Sequence, residues 1–238
     1  MKVLALELST ARGSLAWLND DVVESGGRLD AKRVDLVREW SNDRKHSGLF
    51  FENLAEMQKQ FGLPETIVVG LGPGSYAGTR IAISTAIGLS ASGGTGSVPS
   101  VKATGRHGGR PSTSVCVQLI GYPSICAVET EENEYCMIGD ARRSTFFFAR
   151  IRINDLVEGP TLLSEAELKE KLDKLEDKMP IFSSEPLPQF ERAAVRYPSA
   201  QVLARLAQDP DRSFSLPPLE PMYLREPHIT VPRSATTP

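Results

Sequence analysis

The chain has 238 residues, 40% of them hydrophobic, with a formal net charge of −3 and a pI near 5.7. That length and apolar content can bury a substantial core in one large domain or two smaller ones, and the mild acidity excludes the global basic footprint of a nucleic-acid-binding domain. No apolar run approaches the ~20 residues of a membrane helix, and the N-terminus lacks a basic segment followed by a long apolar core, so the sequence predicts a protein that is neither exported nor membrane-spanning.

Lys2 to Leu8 reads as an apolar strand, Ser9 to Gly13 as a turn, and Ser14 to Leu18 and Val22 to Leu29 as further antiparallel strands around Asn19-Asp20-Asp21. From His46 to Phe61 the apolar positions Phe50, Leu54, Met57 and Phe61 recur at helical spacing opposite Glu52, Glu56 and Lys59, which predicts an amphipathic helix.

Residues 66 to 92 organise the chain. A β-branched run, Ile67-Val68-Val69, enters a loop carrying Gly72, Gly74 and Gly78, and Thr79 opens a helix-like stretch. Glycines at such a junction allow close backbone approach, and the free N–H groups of a first helical turn attract anions. A Walker A loop would need Lys before the Ser or Thr, and Arg80 follows Thr79 instead. Gly72, Gly74 and Ala77 meet the dinucleotide fingerprint loosely, but no Asp or Glu occurs between Glu65 and Glu129 to take a ribose. A plain tight turn and a ligand loop both remain open on the letters alone. In the following helix Ile81, Ala82, Ile83, Ala86, Ile87 and Leu89 cover an arc of roughly 240°, more than one sheet covers. Either the helix is sandwiched within its own domain or a partner chain buries one face. The stretch from Thr66 to Val128 carries four basic residues and no acid, a local excess that suits an anion or a solvated loop.

Residues 93 to 114 are glycine-rich and polar, with Val98 and Val101 the only sizeable aliphatics, and are expected to form a mobile loop. Beyond them Val115 to Ile120 reads as a strand, Ser124 to Val128 as a short helix, and Tyr135 to Gly139 with Thr145 to Ile153 as a hairpin around Asp140-Ala-Arg142-Arg143, all assigned to a second sheet. That hairpin tip is either a salt-bridged turn or a site facing the cleft between lobes. Ser164 and Glu167 form a capping box ahead of Leu168, Leu172 and Leu175, and Pro198-Ser199 starts a further helix with Val202, Leu203 and Leu206 inward. Domain limits of 1–114 and 115–238 follow, with a proline-rich tail. Cys116, Cys126 and Cys136 suit reduced core thiols in a cytoplasmic protein better than disulfides or zinc ligands.

Gly72-Pro-Gly-Ser-Tyr-Ala-Gly-Thr-Arg80-Ile, the opening Leu4-Ala-Leu-Glu-Leu-Ser-Thr10 and the internal Ile138-Gly-Asp140-Ala-Arg142, three motifs in the right order along the chain, resemble the TsaB (YeaZ) family, a bacterial partner protein in tRNA threonylcarbamoyladenosine modification. The resemblance, together with the β-β-β-α-β-α opening, implies a two-lobed α/β fold of the actin-like ATPase/sugar-kinase (ASKHA) type. In that fold the first turn faces phosphate, which makes Glu7, Ser9 and Thr10, with Gly72, Gly74 and Gly78, a vestigial nucleotide site. The family usually has Asp where this chain has Glu7, a departure that weakens metal or nucleotide use there. The resemblance also implies a helical docking surface, here Phe50, Leu54, Met57, Arg80, Ala82, Ile83, Ala86 and Ile87, self-paired as a homodimer in isolation and shared with a TsaD-like synthase in the complex. A TsaE-like ATPase is the implied third partner, with tRNA engaged through the complex and ATP or ADP only at the assembled complex.

The chemistry legible in the residues agrees with a non-catalytic role. His46, His107 and His228 have no metal-ligand spacing, no Gly-x-Ser-x-Gly elbow occurs, and the cysteines lack an obvious partner histidine. No catalytic, cofactor or metal residues are therefore expected beyond the vestigial site. The competing expectation is a small ATPase or phosphotransferase of the same fold, using Glu7, Ser9, Thr10 and the glycine loop with Asp140 as a second acid; a peptidase is the weakest of the three.

Overall fold

The apolar alternation of the first forty residues resolves into a sheet. In the computed structural model, which describes residues 1–19, 34–41, 47–93 and 117–225, strand β1 (Lys2–Glu7) pairs antiparallel with β2 (Arg12–Asn19), and β2 with β3 (Val34–Ser41). Strands β4 (Thr66–Gly70) and β5 (Gln118–Tyr122) add in parallel on the other side of β1, giving the order β3-β2-β1-β4-β5. Strands β1 and β4 read as unbroken apolar runs because both faces of the sheet are covered. Helices α1 (Gly48–Phe61) and α2 (Tyr76–Gly93) lie over Leu4, Leu6, Ile67 and Val69, while α4 (Ala200–Leu206) lies over Val3, Ala5 and Val68 on the opposite face.

The second sheet repeats the plan of the first. Strands β6 (Glu134–Asp140), β7 (Thr145–Arg152) and β8 (Asp155–Ser164) form an antiparallel meander, and β9 (Ile181–Ser183) and β10 (Ala193–Val195) add in parallel on the far side of β6. One face of this sheet packs Cys136, Ile138, Phe146 and Phe148 against Leu168 and Leu172 of α3 (Glu165–Asp173). The expected capping box is present: the Glu167 amide donates to Ser164 Oγ and the Ser164 amide to the Glu167 carboxylate. The other face, with Tyr135, Met137, Phe147 and Ala149, shares a single apolar cluster with Val3 and Ala16 of the first sheet and Leu203 and Ala204 of α4. The two lobes are thus welded behind α4 and open on the opposite side.

Several expectations are corrected. The described third strand is Val34–Ser41, whose Leu36 and Trp40 join the α1 side and Val37 the α4 side; the strand expected at 22 to 29 lies outside the described residues. The strand expected to open the second sheet is β5, paired with β4 at the edge of the first, because β4, α2 and β5 make a parallel crossover unit. Strand β5 thus belongs to the first sheet although it lies beyond residue 114. The helix expected at 124 to 128 is a 3-10 turn over Ser124–Cys126. The segment expected to be mobile lies, after Gly93, outside the described residues, as do Cys116 and all three histidines. Among the described residues no helix is long and apolar enough to cross a membrane.

Candidate functional site: the cleft between the lobes

Strands β1 and β4 end side by side, and the chain leaves both at the same rim. The glycine loop lies directly on the first turn. The Ser75 amide donates to the Ser9 carbonyl at 2.5 Å. A Cβ on Gly74 would stand 2.0 Å from the Ser9 carbonyl oxygen, and one on Gly78 2.0 Å from that of Leu8. No side chain fits either place, so these two glycines serve the close approach of the chain to itself. Gly72 has φ 92, and its amide donates to Ser124 Oγ at 2.9 Å. Ser75 caps α2, its hydroxyl accepting from the Gly78 amide at 3.3 Å. Of the two readings that the letters left open, the tight junction accounts for Gly72, Gly74 and Gly78 directly.

Glu7 ends β1 with its carboxyl fully buried. The side chain runs beneath the loop toward β4, where Gly70 leaves room for it: a Cβ there would lie 1.8 Å from Glu7 Oε2. The Ser9 amide donates to Glu7 Oε1 at 2.7 Å, and the carboxyl lies against the Ser9 and Ser124 hydroxyls. Burial raises the Glu7 pKa above the ordinary carboxylate value, against the opposing pull of the Ser9 and Ser124 hydroxyls and the Ser9 amide. Glu7 does not line the cleft; Ser9 and Thr10 do. Thr10 closes a local turn, its hydroxyl donating to the Arg12 carbonyl at 3.0 Å.

Across a cleft of about 1260 Å³ stands the hairpin between β6 and β7. The Arg142 amide donates to Asp140 Oδ1 at 2.6 Å, and the Arg142 guanidinium lies 3.6 Å from Asp140 Oδ2. The Asp140 amide donates to the Glu185 carboxylate at 3.0 Å. Arg142, Arg143 and Ser144 have φ of 67, 53 and 56, three successive left-handed residues that each cost about 1–2 kcal/mol and that hold this tip in a fixed shape. Asp140, Arg142 and Arg143 all line the cleft, so the tip is both a salt-bridged turn and a cleft wall. Among the described residues, no group of three or more His, Cys, Asp or Glu side chains could share a metal ion.

Six of the eight expected docking residues are taken up by the chain's own core. Phe50, Leu54, Met57, Ala82, Ile83 and Ala86 are each at most 5% exposed and pack against the first sheet. The wide apolar arc of α2 is shared out differently from the expectation, because Ala82, Ile83 and Ala86 face the sheet and Ile81 and Leu89 lie part-buried beside them. Arg80 and Ile87 remain outward, Ile87 half-exposed. The sequence reading missed Tyr76, which is half-exposed, accepts from Arg80 at 2.5 Å and meets the Tyr223 ring in a tilted contact at 5.4 Å between centroids. The signal for Tyr223 was its place in the proline-flanked run Pro221 to Arg225. It also missed Ser124, whose partner is 52 residues away. Cys126 and Cys136 are buried free thiols, pushed by burial up to about 12 and about 11, the opposite of an activated nucleophile.

No family model matches the chain, and no curated protein matches it significantly. Solved structures do share its fold. One is described as an uncharacterized protein with similarity to peptidase YEAZ from Pseudomonas aeruginosa; it is 18% identical, with a TM-score of 0.63 over 94% of this chain and 99% of that one. YeaZ from Pseudomonas aeruginosa is 17% identical, with a TM-score of 0.56 over 87% of this chain and 92% of that one.

Proposed function

We propose that the chain is a cytoplasmic TsaB (YeaZ)-type protein of the actin-like ATPase/sugar-kinase fold, and that it acts as the non-catalytic subunit that binds and activates a TsaD-like synthase in tRNA threonylcarbamoyladenosine modification. One observation carries the reading. The opening strand and turn, the glycine loop and the internal Asp140-Ala-Arg142 stretch, widely separated in sequence, line or underlie one cleft, on a fold shared over nearly the whole of both chains with a protein similar to YeaZ. The duplicated sheet plan supports the actin-like part of the proposal.

The outward face of α2, with Arg80 and Ile87, is the docking surface in this reading. It self-pairs when the protein is alone and meets the synthase in the complex. A TsaE-like ATPase is the third member, nucleotide binds only at the assembled complex, and tRNA is reached through the complex. A phosphotransferase would need a carboxylate facing phosphate and magnesium, and the placement of Glu7 under the loop against Gly70 speaks against it.

Reconstitution tests the proposal: synthase, TsaE-like ATPase, ATP, a pre-formed threonylcarbamoyl-adenylate donor and tRNA, with and without this chain. Modified adenosine is expected only when the chain is present, and the chain alone is expected to leave ATP intact. Modification that proceeds equally without it, or ATP hydrolysis by the chain alone at an ordinary enzymatic rate, would overturn the proposal.

A further inference from the structure

Residues 215–225 form neither helix nor strand beyond an isolated bridge at Ser215, yet they touch both lobes in turn. Ser215 and Gly121 exchange both backbone hydrogen bonds at 2.9 Å, tying the segment to the edge of the first sheet. Leu219 is buried in the core beneath α1 and α2. The Met222 amide then donates to the Leu71 carbonyl at 2.7 Å, at the entrance of the glycine loop. The Tyr223 ring meets that of Tyr76, the first residue of α2, whose hydroxyl accepts from Arg80 and whose ring lies 5.0 Å from the Arg80 guanidinium. Finally Arg225 crosses to the second lobe, where its guanidinium donates to the Arg142 carbonyl at 3.2 Å and to Thr145 Oγ1.

The two ends of this path differ in kind. At the first lobe the contacts are backbone pairing and buried apolar surface, which hold the segment in place. At the second lobe the Arg225 guanidinium reaches the open side of the cleft, donating to the Arg142 carbonyl in the left-handed tip and to Thr145, the first residue of β7, beside Leu224, which packs on the apolar cluster common to both sheets. Pro217, Pro218 and Pro221 fix φ along the way and reduce the freedom of the segment.

We propose that residues 215–225 are a strap across the open side of the cleft, clasped by Arg225, which couples the second-lobe turn to the glycine loop and to the first turn of α2. Tyr223 is the positioning residue at the α2 end, since it holds Tyr76 and through it Arg80. The device holds whether or not the protein has the partners proposed above.

Hydrogen exchange on the full chain tests it, comparing the parent with Arg225→Gln and with Thr145→Val, which keeps a β-branched side chain and removes only the hydroxyl. Both variants are expected to speed amide exchange across residues 72–82 at least fivefold while amides of α3 keep their parental rates. If exchange quickens only across 141–146 and residues 72–82 stay at parental rates, Arg225 merely caps the turn and the coupling is refuted. Should Arg225→Gln lose its near-ultraviolet circular dichroism, Thr145→Val decides by the same two outcomes.

Discussion

The sequence placed Glu7 near the end of the opening strand and, by resemblance, in a vestigial nucleotide site, but the letters do not say toward which side such a residue turns. The fold sends it under the loop, because Gly70 lacks a side chain and the space is there. Its stability signature follows. In the unfolded chain a Glu titrates at about 4.3, and in the fold burial raises that value. Below the unfolded value both states are protonated and nothing is lost; above it the folded state binds the proton more tightly, so stability declines with rising pH until the folded pKa is passed. Glu7→Gln, neutral at every pH, should therefore melt higher than the parent at pH 8 and lose that advantage toward pH 4. Melting curves that stay parallel over this range would contradict the account. The glycines give a second residue-scale test. Gly74→Ala forces a Cβ against the Ser9 carbonyl and should lower stability by about 1–3 kcal/mol. Gly88→Ala, in open space on helix α2, should raise it by about 0.4–1 kcal/mol. Urea titration of both distinguishes a glycine that the backbone needs from one that it does not.

At the level of elements, periodicity located α1, α2 and α3 well and assigned the partners of α2 poorly. An apolar arc records how much surface is covered, and it does not record which neighbour covers it. Ala82 and Ala86, small enough to suit close approach by another chain, approach their own sheet instead. Ala86→Glu should accordingly cost several kcal/mol through an unpaired buried charge and lower the thermal midpoint sharply, whereas Ile87→Glu, on the half-exposed side, should leave it nearly unchanged. A well-folded Ala86→Glu variant would contradict the packing. Strand β8 was invisible for a different reason. It is an exposed edge with Gly159-Pro160 inside it, and proline in a run argues against a central strand while being tolerated at an edge. The capping box of α3 was readable because its two partners are three residues apart; Ser164→Ala should cost about 1 kcal/mol, measured by chemical denaturation.

Across the whole molecule, the same five-stranded plan occurs twice, joined behind α4 and open at the cleft. The sequence reading placed the strand near residues 115–120 in the second sheet, since it is far along the chain from β4, and only pairing reveals that β5 returns to the first sheet. The cleft itself was readable through its motifs. Its closure by residues 215–225 was not, because isolated side chains such as Tyr223 and Arg225 carry no periodic signal. Docking of a synthase through the outward face of α2, as proposed above, is open to titration calorimetry of the TsaD-like synthase with the parent and with folded Ile87→Glu. A saturable association is expected for the parent, weakened at least tenfold by the substitution; no association by the parent, or equal affinities for the two proteins, would refute the docking.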